Sequence, residues 1–482
     1  MSSNSIRFAP IGVDNGAGES RRVRYARLAT QAFAHARARW LICCLGMALM
    51  LPYLSVGGVA DDDFHAVALQ SHPTVPGTER APWDLFSFAT IQHNPTLMEQ
   101  GVFPWWTDPE LTIAFFRPLS SLTMWLDEKI WGTNHEAMHL QSMLWYALLL
   151  VLLSATYQKL SLSPKHAALA LLLFAVDDAR WMPVGWLAQR NALVAMAPAV
   201  LALYLHHRAR EEGARWARAL APLCLALGLL GGESALSICG YLFAYALVMD
   251  RAALRARIVS LLPYLAVVVV WRAIYVYLGH GAIHSGNYVD PGRDPIEFAQ
   301  LLVVRLPILL LGQFGVPYAD MWEVYPLFAP WLRPVVWLFA ISVLALAFYL
   351  FRPLLREHRV LRFWLLGSLL ATIPSCGVHP EDRMLTATAL GATQVVAAFL
   401  WAVLDGGYAR ATRLSTVSAG LLVLTHLVFA PITLPLRAYD VYAIERWMSH
   451  SDKSLPQGDE AEGKTLVIVN PPLDIFAVYW PL

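Results

Sequence analysis

The sequence predicts an all-α polytopic membrane protein of about 11 transmembrane helices, with a long outer loop after the first helix and a short outer tail at the C-terminus. Three observations predict it. Of 482 residues, 57% are hydrophobic and 15% charged. The mean hydropathy is +0.48, too apolar for a surface that faces water on all sides. Finally, runs of about 20 apolar residues alternate with loops that are by turns rich and poor in Arg and Lys, the signature of successive crossings.

Residues 1–39 are polar and carry Arg7, Arg21, Arg22, Arg24, Arg27, Arg37 and Arg39, which assigns this end to the cytoplasm. A first helix follows at about 40–60. Its exit, Gly57-Gly58-Val59-Ala60, has the small residues of a signal-peptidase site. The polar segment before it is long for a signal peptide, so an uncleaved anchor is expected. The loop 61–132 contains Pro, Trp and His without a long apolar run, and is placed on the outer side.

Helices at about 136–157 and 165–177 return to Lys159 and Lys165 and rise again to Asp177-Asp178. One at about 187–206 descends to Arg208, Arg210, Arg215 and Arg218. Two more form a hairpin around Gly231-Gly232-Glu233 and end at Arg251, Arg255 and Arg257. A helix at about 258–278 leads to a polar outer loop from His280 to Asp294. The apolar stretch Ala299 to Phe314 breaks the alternation, because a crossing here would make the next helix deliver Arg352, Arg356, Arg359 and Arg362 to the outside. A re-entrant or interfacial helix is expected instead. Helices at about 333–351, 363–378, 384–403 and 414–432 complete a membrane domain over 40–432, N-terminus in and C-terminus out. The tail 433–482 is read as polar, ending in the β-like run Thr465-Leu466-Val467-Ile468-Val469-Asn470-Pro471-Pro472. One strand cannot stand alone, so it must pair with the outer loop or with a domain this chain leaves incomplete. The expected location is a bacterial inner membrane with the outer loops and the C-terminus in the periplasm.

Charge and cysteine exclude several functions. Lys+Arg 36 against Asp+Glu 35 leaves +1, no field to collect nucleic acid. The five cysteines, Cys43, Cys44, Cys224, Cys239 and Cys376, sit in or near apolar runs and read as small buried hydrophobes rather than a disulfide framework. The frame Asn94-Pro95-Thr96 carries Pro in the middle and is no glycosylation acceptor.

The residues that can carry chemistry lie in the outer loops. Asp61-Asp62-Asp63, followed by His65, stands where the first helix leaves the bilayer. Three adjacent carboxylates repel one another, so at least one should titrate high unless a cation or metal compensates. Such a group can act as general base or metal ligand, or serve only as a solvated topology marker. Arg117, in Phe116-Arg117-Pro118-Leu119, is suited to holding a lipid phosphate, or to snorkelling to headgroups. Trp105, Trp106, Trp125 and Trp131 read as an aromatic belt. Asp178 and Arg190 lie in the 177–191 loop, and Arg190 starts a long apolar helix, where a charge must be paired or face a ligand. Arg383 is a third outer cation, with Glu381 or Asp382 available as a local partner. Glu233 is a partner for one of these arginines. Arg272, inside an apolar helix, reads as half of a structural ion pair, and His139 as a packing histidine. The cytoplasmic loops hold mainly unpaired positive charge. Chemistry is therefore expected to face outward.

In this order and spacing the motifs resemble the GT-C superfamily of polyprenyl-phosphate-sugar-dependent glycosyltransferases, closest to its protein O-mannosyltransferase-like branch (glycosyltransferase family 39-like). The resemblance runs from about residue 40 to 400. It rests on Asp62-Asp63 after the first helix, Arg117-Pro118-Leu119, Trp131-Gly132-Thr133-Asn134 leading to His139, Trp186–Arg190, Gly232-Glu233 and Asp382-Arg383-Met384. Asp177-Asp178 stands where relatives often have His-Pro.

The resemblance implies transfer of a sugar from a polyprenyl-phosphate donor to a protein, lipid or glycan acceptor on the outer face. It implies Asp62 as base, with Asp61 and Asp63 as alternates, and Arg117, Arg190 and Arg383 on the donor phosphate. His65, Asp178, Glu233 and Arg272 would support them. No resident cofactor is implied, and a divalent metal on the aspartates is left open. The alternative reading is a non-catalytic or transporter-like protein of the same fold that binds a lipid or glycan. Against ion-coupled transport, the spans carry almost no charge besides Arg272.

Overall fold

The computed structural model describes residues 21–70, 75–410, 412–453 and 467. It is a helical membrane protein. Among the described residues nine helices are long and apolar enough to cross a bilayer: Ala38–Ser55, His135–Leu160, Leu187–Glu211, Leu254–Tyr277, Pro295–Phe314, Leu332–Glu357, Arg359–Gly377, Asp382–Asp405 and Arg413–His450. The shorter apolar helices Pro164–Ala175 and Glu233–Met249 pack among them, as does Arg215–Gly231.

Local sequence explains the breaks. Pro118 and Pro164 open their helices at a position where the missing N–H is no loss. Asn134 caps His135–Leu160 by accepting from the Ala137 N–H at 3.1 Å. Gly231 lets two helices touch: a Cβ there would stand 2.8 Å from the Ala195 nitrogen.

The core is held in part by aromatic tips that donate to backbone carbonyls of neighbouring helices. Tyr146 donates to Ala175 O at 2.9 Å, Tyr157 to Leu390 O at 2.7 Å, and Trp364 to Leu160 O at 2.6 Å. Each removes an unsatisfied polar group from an apolar interior.

At the Arg-rich end of the bundle, Lys159 and Arg208 meet Glu212 at 2.9 and 2.7 Å, Arg210 meets Asp250 at 2.7 Å and Lys165 meets Asp405 at 2.5 Å. Four of the basic residues expected in the cytoplasmic loops thus have an acidic partner.

Pro295–Phe314 has the length of a span, yet both its flanks reach the same end of the neighbouring hairpin. Val289 N–H donates to Gly377 O at 2.8 Å, Arg305 to Cys376 O at 3.0 Å, and Ala319 N–H to Asp382 Oδ1 at 2.9 Å.

Two corrections follow. The first outer loop is more ordered than expected, since β1 (Ser87–Ala89), β2 (Thr112–Ala114) and β3 (Gly281–Ile283) form an antiparallel sheet in that order. Thr112 is opposite Ile283 and Ala114 opposite Gly281, so the loop after residue 278 is stitched to the loop after residue 60. The tail is not irregular from residue 433: helices Ala430–Leu436 and Ala438–Lys453 continue the chain. Tyr53 donates to Leu434 O at 2.6 Å, and Glu445 accepts from the Gly57 N–H at 3.0 Å. The β-like run 465–472 lies outside the described residues.

Candidate functional site

The three aspartates open helix Asp61–Ala68 and point in three directions. The chain enters through Ala60 at φ +52°, a backbone region that L side chains rarely adopt. Asp62 is buried, its carboxylate accepting the Val59 N–H at 3.0 Å and the Ala188 N–H at 2.7 Å. Burial pushes its pKa up to about 8, against those two bonds, with Asp61 and Asp63 adding a smaller push. One of the trio does titrate high, but burial rather than mutual repulsion is the main cause. Asp63 is also raised by burial, opposed by His135 and reinforced by Glu445. Asp61 is partly exposed and lies within electrostatic reach of Arg383 and Tyr288.

Arg383 lies near Asp61, and Arg117 is joined to it through Tyr288. Arg383 forms an ion pair with Glu381, which also pairs with His379. Its guanidinium lies over the Trp186 ring at 5.7 Å, and Trp186 donates from Nε1 to Val59 O at 3.1 Å. Burial pushes Glu381 up, but Arg383 and His379 outweigh it and hold the carboxyl below its ordinary value. Arg117 bonds Glu233 through Nε at 2.7 Å and lies over Phe115 and Phe86 at 4.4 and 5.0 Å. Glu233 is thus its partner. Tyr288, packed on Phe115 at 5.4 Å, sits within electrostatic reach of Arg117, Arg383, Asp61 and Glu381 together. Nothing in the sequence singled out Tyr288. It is brought in by the pairing of β3 with β2.

Other expected residues take different places. Arg190 is 1% exposed and already engaged: it pairs with Asp127 and Gln141, donates to Ser142 Oγ at 2.8 Å and to Met138 O at 2.7 Å. Four of its five N–H donors are thus used inside the fold. What it does hold is the turn Leu187–Arg190, whose Ala188 N–H meets Asp62. His65 is caged by Phe64, Phe86 and Phe88. Burial and Arg117 lower its pKa to about 3, so it is neutral. Arg272 pairs with Asp290 and leans on Tyr275 at 5.3 Å. His139 is buried, with Nε2 3.4 Å from Gly57 O.

A second charged group lies on the other side of residues 381–383. Arg437 stands 3.5 Å from Asp178, 3.6 Å from Asp320 and 3.9 Å from Asp382. Its guanidinium lies over Tyr318 at 4.5 Å. Thr433 donates to Asp178 at 2.9 Å. Asp178 and Asp320 are both raised, first of all by burial. A cavity of about 250 Å³ opens beside them, lined by Asp178, Tyr318, Asp382 and Thr433 among others. Arg437 escaped sequence reading because it lies past the last apolar run, and Asp320 because its loop was read only for topology. Among the described residues no group of three or more His, Cys, Asp or Glu side chains is placed to hold a metal ion.

No family model matches the chain, and no curated protein matches it. Among solved structures it is similar to the oligosaccharyltransferase of Archaeoglobus fulgidus. In the apo form the identity is 11%, with 89% of this chain and 58% of that chain covered and a TM-score of 0.43. With a tethered acceptor peptide the values are 12%, 87%, 57% and 0.42. For AglB in complex with an inhibitory peptide and a dolichol-phosphate they are 12%, 90%, 59% and 0.44. The chain thus spans less than two thirds of the length of the structures it matches.

Proposed function

We propose that this protein is an integral-membrane glycosyltransferase of GT-C type, moving a sugar from a polyprenyl-phosphate donor to an acceptor at the outer face of the membrane. The observation that carries the reading is the meeting of the first-loop aspartates with Arg383 across Trp186: a carboxylate tuned to about 8 stands beside a partly exposed carboxylate and a fixed cation.

In the proposed reaction Asp62 accepts the proton of the acceptor hydroxyl, and the acceptor oxygen forms a bond to the anomeric carbon. The bond from that carbon to the phosphate oxygen breaks, and its electron pair leaves on the lipid phosphate. A single displacement inverts the anomeric centre. Asp62 keeps unused lone pairs beyond the two that hold Val59 and Ala188, since an ionised carboxylate offers about four. A base with a pKa near working pH combines availability with driving force. Arg383, with Arg117 across Tyr288, is assigned to the charge that develops on the leaving phosphate. Arg190 is assigned to positioning, through Ala188.

The test uses membranes carrying the full chain, supplied with polyprenyl-phosphate hexoses labelled in the sugar. Asp62→Asn should abolish transfer while the protein still inserts. Full activity of Asp61→Asn, Asp62→Asn and Asp63→Asn, each alone, would sink the assignment. One observation favours a second reading, a non-catalytic lipid-phosphate binder: each outer arginine already has its own carboxylate, Glu233 or Glu381. Binding of polyprenyl phosphate with no release of sugar would favour that alternative.

A further inference from the structure

The cavity beside Arg437 has walls that include Asp177, Asp178, Tyr318, Asp382, His426 and Thr433, none of which the proposed transfer uses. Three carboxylates, Asp177, Asp178 and Asp382, line it, Asp320 adjoins Asp382 behind them, and the neighbouring cations are Arg180 and Arg437. Arg437 is shared among three of them at 3.5 to 3.9 Å, and Arg180 is 3.8 Å from Asp177. All four distances exceed that of an ordinary charged hydrogen bond.

Two acceptors are left open inside. Asp382 is 2% exposed; its Oδ1 accepts the Ala319 N–H, and its Oδ2 has no hydrogen-bond partner. On the facing helix His426 bonds the Phe314 carbonyl through one ring nitrogen, which must carry the proton, and its Nε2 has no partner. That nitrogen is therefore an acceptor in the neutral ring.

A ligand for such a hollow must be a donor, must be positive, and must fill more than an ion's space. At about 30 Å³ per water, 250 Å³ corresponds to roughly eight waters. A guanidinium would suit one carboxylate edge presented to its flat fork. Here single acceptors come from separate elements, namely Asp178, Asp382 and His426, which matches the three divergent N–H bonds of an ammonium.

We propose that this cavity is a binding site for a primary ammonium group on a small polar body, such as an amino sugar or an ethanolamine headgroup.

The test uses the purified full chain in nanodiscs of phosphatidylglycerol, which brings no amine. Binding is read by saturation-transfer NMR for two matched pairs, glucosamine against glucose and ethanolamine against ethylene glycol. At least one amine should bind while its hydroxyl counterpart does not. Glucosamine alone would point to a sugar amine, and ethanolamine to a headgroup. Asp382→Asn should weaken binding at least tenfold. Arg437→Gln removes the competing cation and should tighten it several-fold, a gain that a misfolded protein cannot produce. The proposal is overturned if amine and hydroxyl bind alike, if neither amine binds, if Asp382→Asn leaves affinity unchanged, or if Arg437→Gln fails to tighten it. Because binding is read without turnover, failure of the transferase reading and failure of this site are told apart.

Discussion

If Asp62 is the base, its elevated pKa must appear in the rate. A carboxyl with a pKa of about 8 is ionised to about 10% at pH 7, half at pH 8 and about 90% at pH 9. Single-turnover transfer, measured so that release of the spent lipid does not limit it, should therefore rise roughly tenfold from pH 7 to pH 9 with a midpoint near 8. Asp62→Asn should cost about 10²- to 10⁴-fold, and the residual rate should lose that limb.

Stability should move the other way. The folded state holds the Asp62 proton to a higher pH than the unfolded chain, so this group's contribution is complete below the ordinary carboxyl value and is lost as pH rises through about 8. Thermal midpoints of the wild-type chain should fall between pH 6 and 9, and the fall should shrink in Asp62→Asn. The asparagine can accept only one of the two backbone N–H groups, which costs about 1–3 kcal/mol at every pH. A flat single-turnover profile from pH 6 to 9 would refute the assignment, as would the same limb persisting in Asp62→Asn.

Arg190→Lys and Asp127→Asn should each destabilise the fold by about 3–5 kcal/mol, since one removes the planar fork and the other strands a buried guanidinium. Donor affinity in whatever folds should be close to wild type, and a selective loss of donor binding would restore Arg190 to the phosphate site. Arg383→Gln should lower single-turnover transfer about 10²- to 10³-fold, the scale for removing one group that stabilises developing charge. Arg117→Gln should cost less, because Glu233 and two aromatic rings already engage that side chain. Ala60→Gly should stabilise the fold by about 1 kcal/mol of relieved strain, read as a higher thermal midpoint, and an unchanged midpoint would show that the turn at φ +52° is not a burden.

Helix order could be read from the chain because apolar length and basic loops are each local signals. The hairpin at Glu233 and the odd status of 295–314 both follow from them. Long-range pairing is not local. Three-residue strands carry too little pattern to announce themselves, yet the register of Ala114 with Gly281 is what carries Tyr288 to Arg117. Arg190 shows the opposite difficulty. The sequence states that a charge at the start of an apolar helix needs a partner, but Asp127 is 63 positions away in a segment read only as outer loop. The choice between a phosphate and a carboxylate rests on that contact alone. The net charge of +1 likewise hides two separate clusters, one with a cation beside Asp61 and one with an excess of carboxylate around Arg437.

Those clusters meet at three consecutive residues. Glu381 is extended, at φ −142° and ψ 148°, and leads directly into the 3-10 turn Asp382–Leu385. Glu381 and Arg383 pair near Trp186, while Asp382 turns to Ala319 and the cavity. Read linearly, Glu381 and Asp382 are equivalent partners for Arg383; in three dimensions only Glu381 is one. Neighbouring substitutions should then separate by function. Arg383→Gln should impair sugar transfer and leave binding of the amine probe intact, whereas Asp382→Asn should impair amine binding and leave polyprenyl-phosphate binding intact. If both variants lose both properties while remaining folded, the two clusters form a single site, and the division of labour across this peptide is wrong.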